Sequence, residues 1–129
     1  MSTTIAAYYS DELTGWNEAI LFYNEEVDEL EQKLEEVIRR NSIQGIAEKV
    51  ETHQALLNHT SEKFYRIQLQ IQQQEAALKA DSTLLDDTAI KNETGQKQND
   101  LRREMQAAEK EYIDAKFECY NFLSGILKK

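Results

Sequence analysis

The chain has 129 residues, of which 40% are hydrophobic and 30% charged, and its formal net charge is −9. That length is enough for one domain with a proper core, and we treat residues 1–129 as a single domain. The single cysteine, Cys119, argues against a disulfide-stapled secreted protein. The negative charge disfavours nucleic acid and anionic membrane as partners.

The first predicted helix covers residues 10–40, and an unbroken seven-residue apolar repeat defines it. Steps of three and four place one apolar stripe on one face of a helix, as buried helices of bundles and coiled coils require. Ser10 is the expected N-cap, and the acids after it suit the positive end of the helix dipole. The stripe consists of Leu13, Trp16, Ile20, Tyr23, Val27, Leu30, Leu34 and Val37.

The second predicted helix covers residues 43–80 and follows a weak break at Asn41 and Ser42. Asn41 and Gln44 have the spacing of a capping box, and Gly45 loosens the same region. The polar members of its stripe resemble the polar positions that fix register in coiled coils. The stripe consists of Ile46, Val50, His53, Leu57, Thr60, Phe64, Ile67, Ile71, Gln74 and Leu78.

The third predicted helix covers residues 87–127. Residues 80–88 lose the apolar rhythm and are rich in cap-forming side chains, so Asp87 or Thr88 is the expected start. The steps of its stripe drift towards an eleven-residue period, which would straighten a supercoil. The stripe consists of Ile90, Thr94, Lys97, Leu101, Met105, Ala108, Tyr112, Ala115, Cys119, Phe122 and Ile126.

Three helices of similar length with short connections predict an all-α, elongated, antiparallel up-down-up three-helix bundle that resembles a coiled coil. An acid precedes a base by four residues at seven places, for example at Glu62 and Arg66, and this order stabilises helices. An alternative fold joins the first two segments into one helix across Asn41, which would force dimerisation. The layout also resembles a spectrin-type three-helix repeat in its length and in the position of Trp16; the resemblance concerns architecture and implies no function.

The repeat by itself specifies no chemistry, and we expect no enzyme, cofactor, metal site or small-molecule substrate. Cys119 lies on the apolar stripe, where burial makes a thiol inert. His53 also lies on a stripe and is interpreted as a packed, hydrogen-bonded core residue. The alternative is a carboxylate/histidine metal-binding bundle with a redox or hydrolytic role, which would use Glu25, Glu26, His59 and Glu62.

The predicted function is therefore a non-enzymatic scaffold or adaptor in the cytoplasm that acts through protein–protein contact, with another protein or a second copy as partner. Two stretches near the ends of the chain are more apolar than a bundle stripe requires, which is typical of contact surfaces. A further hypothesis is that the first helix binds a basic partner, since residues 1–41 hold ten acids and three bases. The expected contact residues are Trp16, Phe22, Phe117, Tyr120, Leu123 and Leu127.

Overall fold

The computed structural model describes residues 4–40, 44–84 and 90–127, without the side chains of residues 82–84 and 127. The described residues form three long helices: α1 (Ile5–Arg40), α2 (Ile46–Leu84) and α3 (Asn92–Leu127). All three pack against one another around a shared apolar core. The predicted all-α three-helix bundle is confirmed.

Contacts between side chains give the directions of the helices. Residue numbers rise together along α1 and α3, because Glu12 contacts Arg102 and Glu26 contacts Lys116. They run oppositely along α2 and α3, where Lys63 pairs with Glu111 and Gln74 with Gln98. The chain therefore runs up, down and up. A single helix continuous across Asn41 is excluded because α2 folds back onto α1.

α1 begins at Ile5, five residues before residue 10, where the predicted helix begins. The backbone nitrogen of Ala7 donates to Thr4 Oγ1 at 3.0 Å, which makes Thr4 the N-cap. Tyr9, which precedes Ser10, also packs against the core. The extra turn is stable because Tyr9 continues the three-four spacing that leads to Leu13.

Gly45 determines where α2 begins. Its φ of 86° lies in the left-handed region that glycine adopts without a Cβ clash, and its carbonyl accepts the Lys49 N–H at 3.3 Å. The helix therefore starts at Ile46 rather than at residue 43. The first member of the proposed capping box, Asn41, lies outside the described residues.

The carboxylate of Asp81 on α2 caps the start of α3. Its Oδ2 accepts the backbone N–H of Lys91 at 2.9 Å, and this bond, with one from Thr94, holds the pKa of Asp81 below its ordinary value. α2 therefore continues past residue 80 to Leu84, since Asp81 is buried on the same face as Leu78. α3 begins at Asn92, and the expected starts, Asp87 and Thr88, lie outside the described residues.

The core follows the predicted stripes closely on α1 and α2 and departs from them at two places on α3. Leu123 is buried, whereas its neighbour Phe122, which the stripe includes, is half-buried; the other departure is at Lys97. There the fully buried residue is Gln98, not Lys97, whose Nζ instead donates to Gln70. With Gln98 included, steps of four and three alternate from Thr94 to Cys119. The predicted eleven-residue spacing occurs at the end of the helix, where the steps between the buried residues Tyr112, Ala115, Cys119 and Leu123 are three, four and four. The apolar core on α3 comprises Leu101, Met105, Ala108, Tyr112, Ala115, Cys119 and Leu123.

A polar layer crosses the bundle near the start of α1; we define it as Glu12, Gln74, Gln98 and Arg102. Gln74 Nε2 donates to Gln98 Oε1 at 2.9 Å, which joins α2 to α3. Gln98 Nε2 in turn donates to Glu12 Oε1 at 2.8 Å, which joins α3 to α1. Because each bond needs its own donor and acceptor geometry, the layer favours one alignment of the three helices.

Candidate protein-interaction surface

The seam between α1 and α3 is held chiefly by long polar side chains. These two helices approach each other less closely than either approaches α2. Arg102 binds both carboxylate oxygens of Glu12 at 2.7 Å. Further along, Glu26 accepts Lys116 Nζ at 2.7 Å and the Tyr112 hydroxyl at 2.5 Å. Bidentate and charge-assisted bonds of this kind align α1 and α3 across the wider gap.

The acids of this seam are ionised at neutral pH. Burial raises the pKa of Glu12, but hydrogen bonds from Arg102 and Gln98 outweigh that effect and hold the pKa below its usual range. Glu26 is similar, because bonds from Lys116 and Tyr112 overcome the effect of burial on its pKa. The seam therefore carries the negative charges of Glu12 and Glu26 on α1 opposite the positive charges of Arg102 and Lys116 on α3. It also includes one acid of α3, Glu109, which accepts the Tyr23 hydroxyl at 2.6 Å.

One side of α3 presents exposed apolar side chains beside this seam. Ile113, Phe117 and Tyr120 follow the spacing of i, i+4 and i+7, which places them on one side of the helix. They are 48%, 65% and 41% exposed, respectively. Lys33 Nζ of α1 lies 5.9 Å from the centre of the Tyr120 ring, so this side of α3 borders α1.

Phe22 places a matching aromatic side chain on α1. It precedes Glu26 by one helical turn, and Glu26 contacts α3, so Phe22 also borders the seam. Its side chain is 56% exposed. We name Phe22, Ile113, Phe117 and Tyr120 the seam surface. Sequence reasoning missed Ile113, although its spacing from Phe117 and Tyr120 is a signal that could have identified it.

The remaining expected contact residues lie elsewhere. Trp16 is half-buried and packs against the core. Leu123 is only 5% exposed and belongs to the core, so we do not include it in the seam surface. A charge introduced at Leu123 would test folding rather than association. Leu127 ends α3, and its side chain lies outside the described residues.

Opposite charges flank the seam surface on its two helices. On α1, Phe22 shares a stripe with the exposed acids Glu18, Glu25, Glu29 and Glu36. On α3, the stripe that contains Ile113 and Phe117 carries two bases, Arg103 and Lys110, and has one exposed acid beside it, Asp114. Among the described residues, Glu18, Glu25, Arg103 and Lys110 form no ion pair.

The residues of the metal hypothesis are not brought together. Glu26 is bound by Lys116 and Tyr112, while His59 and Glu62 lie exposed on α2. Glu62 instead lies 3.9 Å from Arg66, with which it forms one of the predicted acid-first pairs. Within residues 4–40, 44–84 and 90–127, no three His, Cys, Asp or Glu side chains are placed to bind a metal ion.

Two shallow grooves between α2 and α3 are open to solvent. One, of about 270 Å³, is lined by Lys63, Arg66 and Glu104 among others. The other, of about 260 Å³, includes His59 and acids of α3. Neither groove encloses a ligand-sized space with converging polar groups of the kind that small-molecule sites contain.

Two potentially reactive side chains lie at the far end of the bundle: Cys119, which is buried, and His53, which is half-buried. Burial raises the pKa of the Cys119 thiol to about 11, which keeps it protonated at neutral pH. The His53 ring stacks on Phe122 with centroids 4.8 Å apart. Its Nδ1 is buried and has no hydrogen-bond partner among the described residues, contrary to the expected hydrogen-bonded histidine.

Comparisons with known proteins give no indication of function. No family model, curated protein or solved structure matches the chain. Across the described residues, no helix is both long enough and apolar enough to cross a membrane.

Proposed function

We propose that the protein is a non-enzymatic helical bundle that acts as a scaffold or adaptor and associates with a second copy of itself through the seam surface. The observation that carries this proposal is the clustering of Phe22, Ile113, Phe117 and Tyr120 beside one seam. Exposed apolar side chains that stand singly need no explanation, whereas a clustered set rimmed by charges is typical of contact sites.

The surroundings of the seam surface favour a protein partner. Its rim is charged on both sides, and its centre offers aromatic rings, which contribute most to binding energy in protein interfaces. A surface flanked by charges of both signs suits another protein better than a phosphate backbone or an anionic membrane. We place the protein in the cytoplasm because its single cysteine is a buried thiol, as reducing compartments allow.

Size-exclusion chromatography with light scattering tests self-association directly. At about 50 µM, which exceeds the Kd of a dimer of modest affinity, we expect twice the chain mass of 15.0 kDa. The double variant Phe22→Ala/Phe117→Ala should weaken the dimer by at least about tenfold, because it removes two aromatic anchors. Alanine favours the helix, so the fold is preserved.

Tyr65→Ala is the matched control, since Tyr65 is 61% exposed and lies on α2, away from the seam. It should leave the dimer unchanged. A wild-type monomer at this concentration would refute the proposed self-association, and so would a seam variant that dimerises as strongly as the wild type.

A further inference from the structure

Outside the seam, the stripes of α1 and α3 carry charges of the same signs as the ion-paired charges inside it. Both ion pairs inside the seam join an acid of α1 to a base of α3, as Glu12–Arg102 and Glu26–Lys116, while the α3 acid Glu109 binds the hydroxyl of Tyr23. One step outward, Glu18 and Glu25 on α1 and Arg103 and Lys110 on α3 keep the same signs without an ion-pair partner among the described residues. The outer charges are therefore available to a second molecule.

Two kinds of two-fold axis could bring one seam surface against another. An axis that crosses the bundle places α1 against α1 of the second copy, so that acids face acids. An axis parallel to the helices places α1 against α3 of the second copy, so that acids face bases. Like charges across an interface disfavour association, and opposite charges fix partner and register.

We infer that two copies pair about an axis parallel to the helices, with α1 of each copy on α3 of the other. This inference rests on the proposed self-association. In this arrangement the charges outside the seam make contacts between the two copies, whereas the charges inside the seam make contacts within one copy. The same interface covers the exposed ring of Phe22 in each copy.

The alignment within one chain sets the register expected between copies, because a parallel axis preserves height along the bundle. Cross-seam partners such as Glu26 and Lys116, or Lys33 and Tyr120, differ by roughly 88 in residue number. Glu18 then lies level with a point midway between Arg103 and Lys110 of the second copy. Glu25 lies about one helical turn, roughly 5 Å, from Lys110 of the second copy and close in height to Asp114, so Glu18 has the more favourable surroundings of the two acids.

A charge exchange between two variants tests this arrangement. The first variant is Glu18→Lys/Glu25→Lys, and the second is Arg103→Glu/Lys110→Glu. Each variant alone sets like charges against each other in both halves of the interface. We expect its dimer to be at least about tenfold weaker than that of the wild type. An equimolar mixture restores opposite charges in both halves, so a heterodimer should form with near wild-type affinity.

Native mass spectrometry distinguishes the heterodimer from either homodimer by mass, and circular dichroism confirms that both variants remain helical. Recovery in the mixture would support the parallel arrangement. A dimeric wild type whose variants dimerise undiminished, or whose mixture shows no recovery, would overturn the arrangement while leaving self-association intact. A monomeric wild type would instead remove the proposed function and this inference together.

Discussion

The two ends of the bundle are built differently. Near the start of α1, the polar layer of Glu12, Gln74, Gln98 and Arg102 crosses all three helices. The far end, which we call the apolar end, buries Leu34, Val50 and Leu123 instead. Apolar contacts stabilise many alignments of similar shape, whereas each hydrogen bond requires one particular partner. The comparison indicates that the apolar end contributes stability and that the polar layer selects the alignment.

The largest effect should come from the apolar end. Leu34 is completely buried, and Leu34→Ala should lower the free energy of unfolding by about 2–5 kcal/mol through lost burial and a residual cavity. Urea denaturation followed by circular dichroism measures this change. The control is Leu21→Ala on the same helix, where the side chain is 59% exposed and the expected change is within about 0.5 kcal/mol. Equal losses would contradict the assigned core.

A smaller, coupled effect is expected in the polar layer. Gln98→Leu should cost about 1–3 kcal/mol because Gln74 Nε2 loses one of its two acceptors and keeps only the Thr94 carbonyl. The double variant Gln74→Leu/Gln98→Leu removes both amides and should be destabilised by about 1 kcal/mol less than the two single variants combined. A double-mutant cycle in urea measures this coupling. Simple additivity would show that the two glutamines do not act as a pair.

The smallest effect concerns His53 at the apolar end and depends on pH. Burial lowers the pKa of His53, although nearby Glu118 opposes the shift. The unfolded state therefore binds a proton more readily, and stability should fall as the pH drops below about 6.5 towards the lowered pKa. We expect the urea midpoint to decrease from pH 7.5 to pH 5.5 more in the wild type than in His53→Phe. A larger decrease in the variant would contradict this sign.

Much of the fold could be predicted from the sequence because apolar spacing along a helix is a local property. The repeat from Leu13 to Val37 predicted the buried face of α1, and the repeat from Val50 to Leu78 predicted that of α2. Phe22, Phe117 and Tyr120 of the seam surface were also named from the sequence, because the stretches that contain them hold more apolar side chains than one stripe can bury. The burial of Leu123, which was expected to be a contact residue, could not be predicted, because its neighbours in sequence do not reveal which side of α3 the other helices cover.

By itself, the sequence determined the three helices and the order of their apolar faces, because helix periodicity depends only on residue spacing. Only the tertiary structure decided which polar residues the core accepts. Gln98 and Asp81 occupy regular positions in the three-four rhythm, but each is buried because a partner outside its own helix satisfies it. That partner is Gln74 for Gln98, and the backbone of Lys91, just before α3, for Asp81. Burial of a polar group is favourable only when such a partner is present, and that partner belongs to a distant part of the chain.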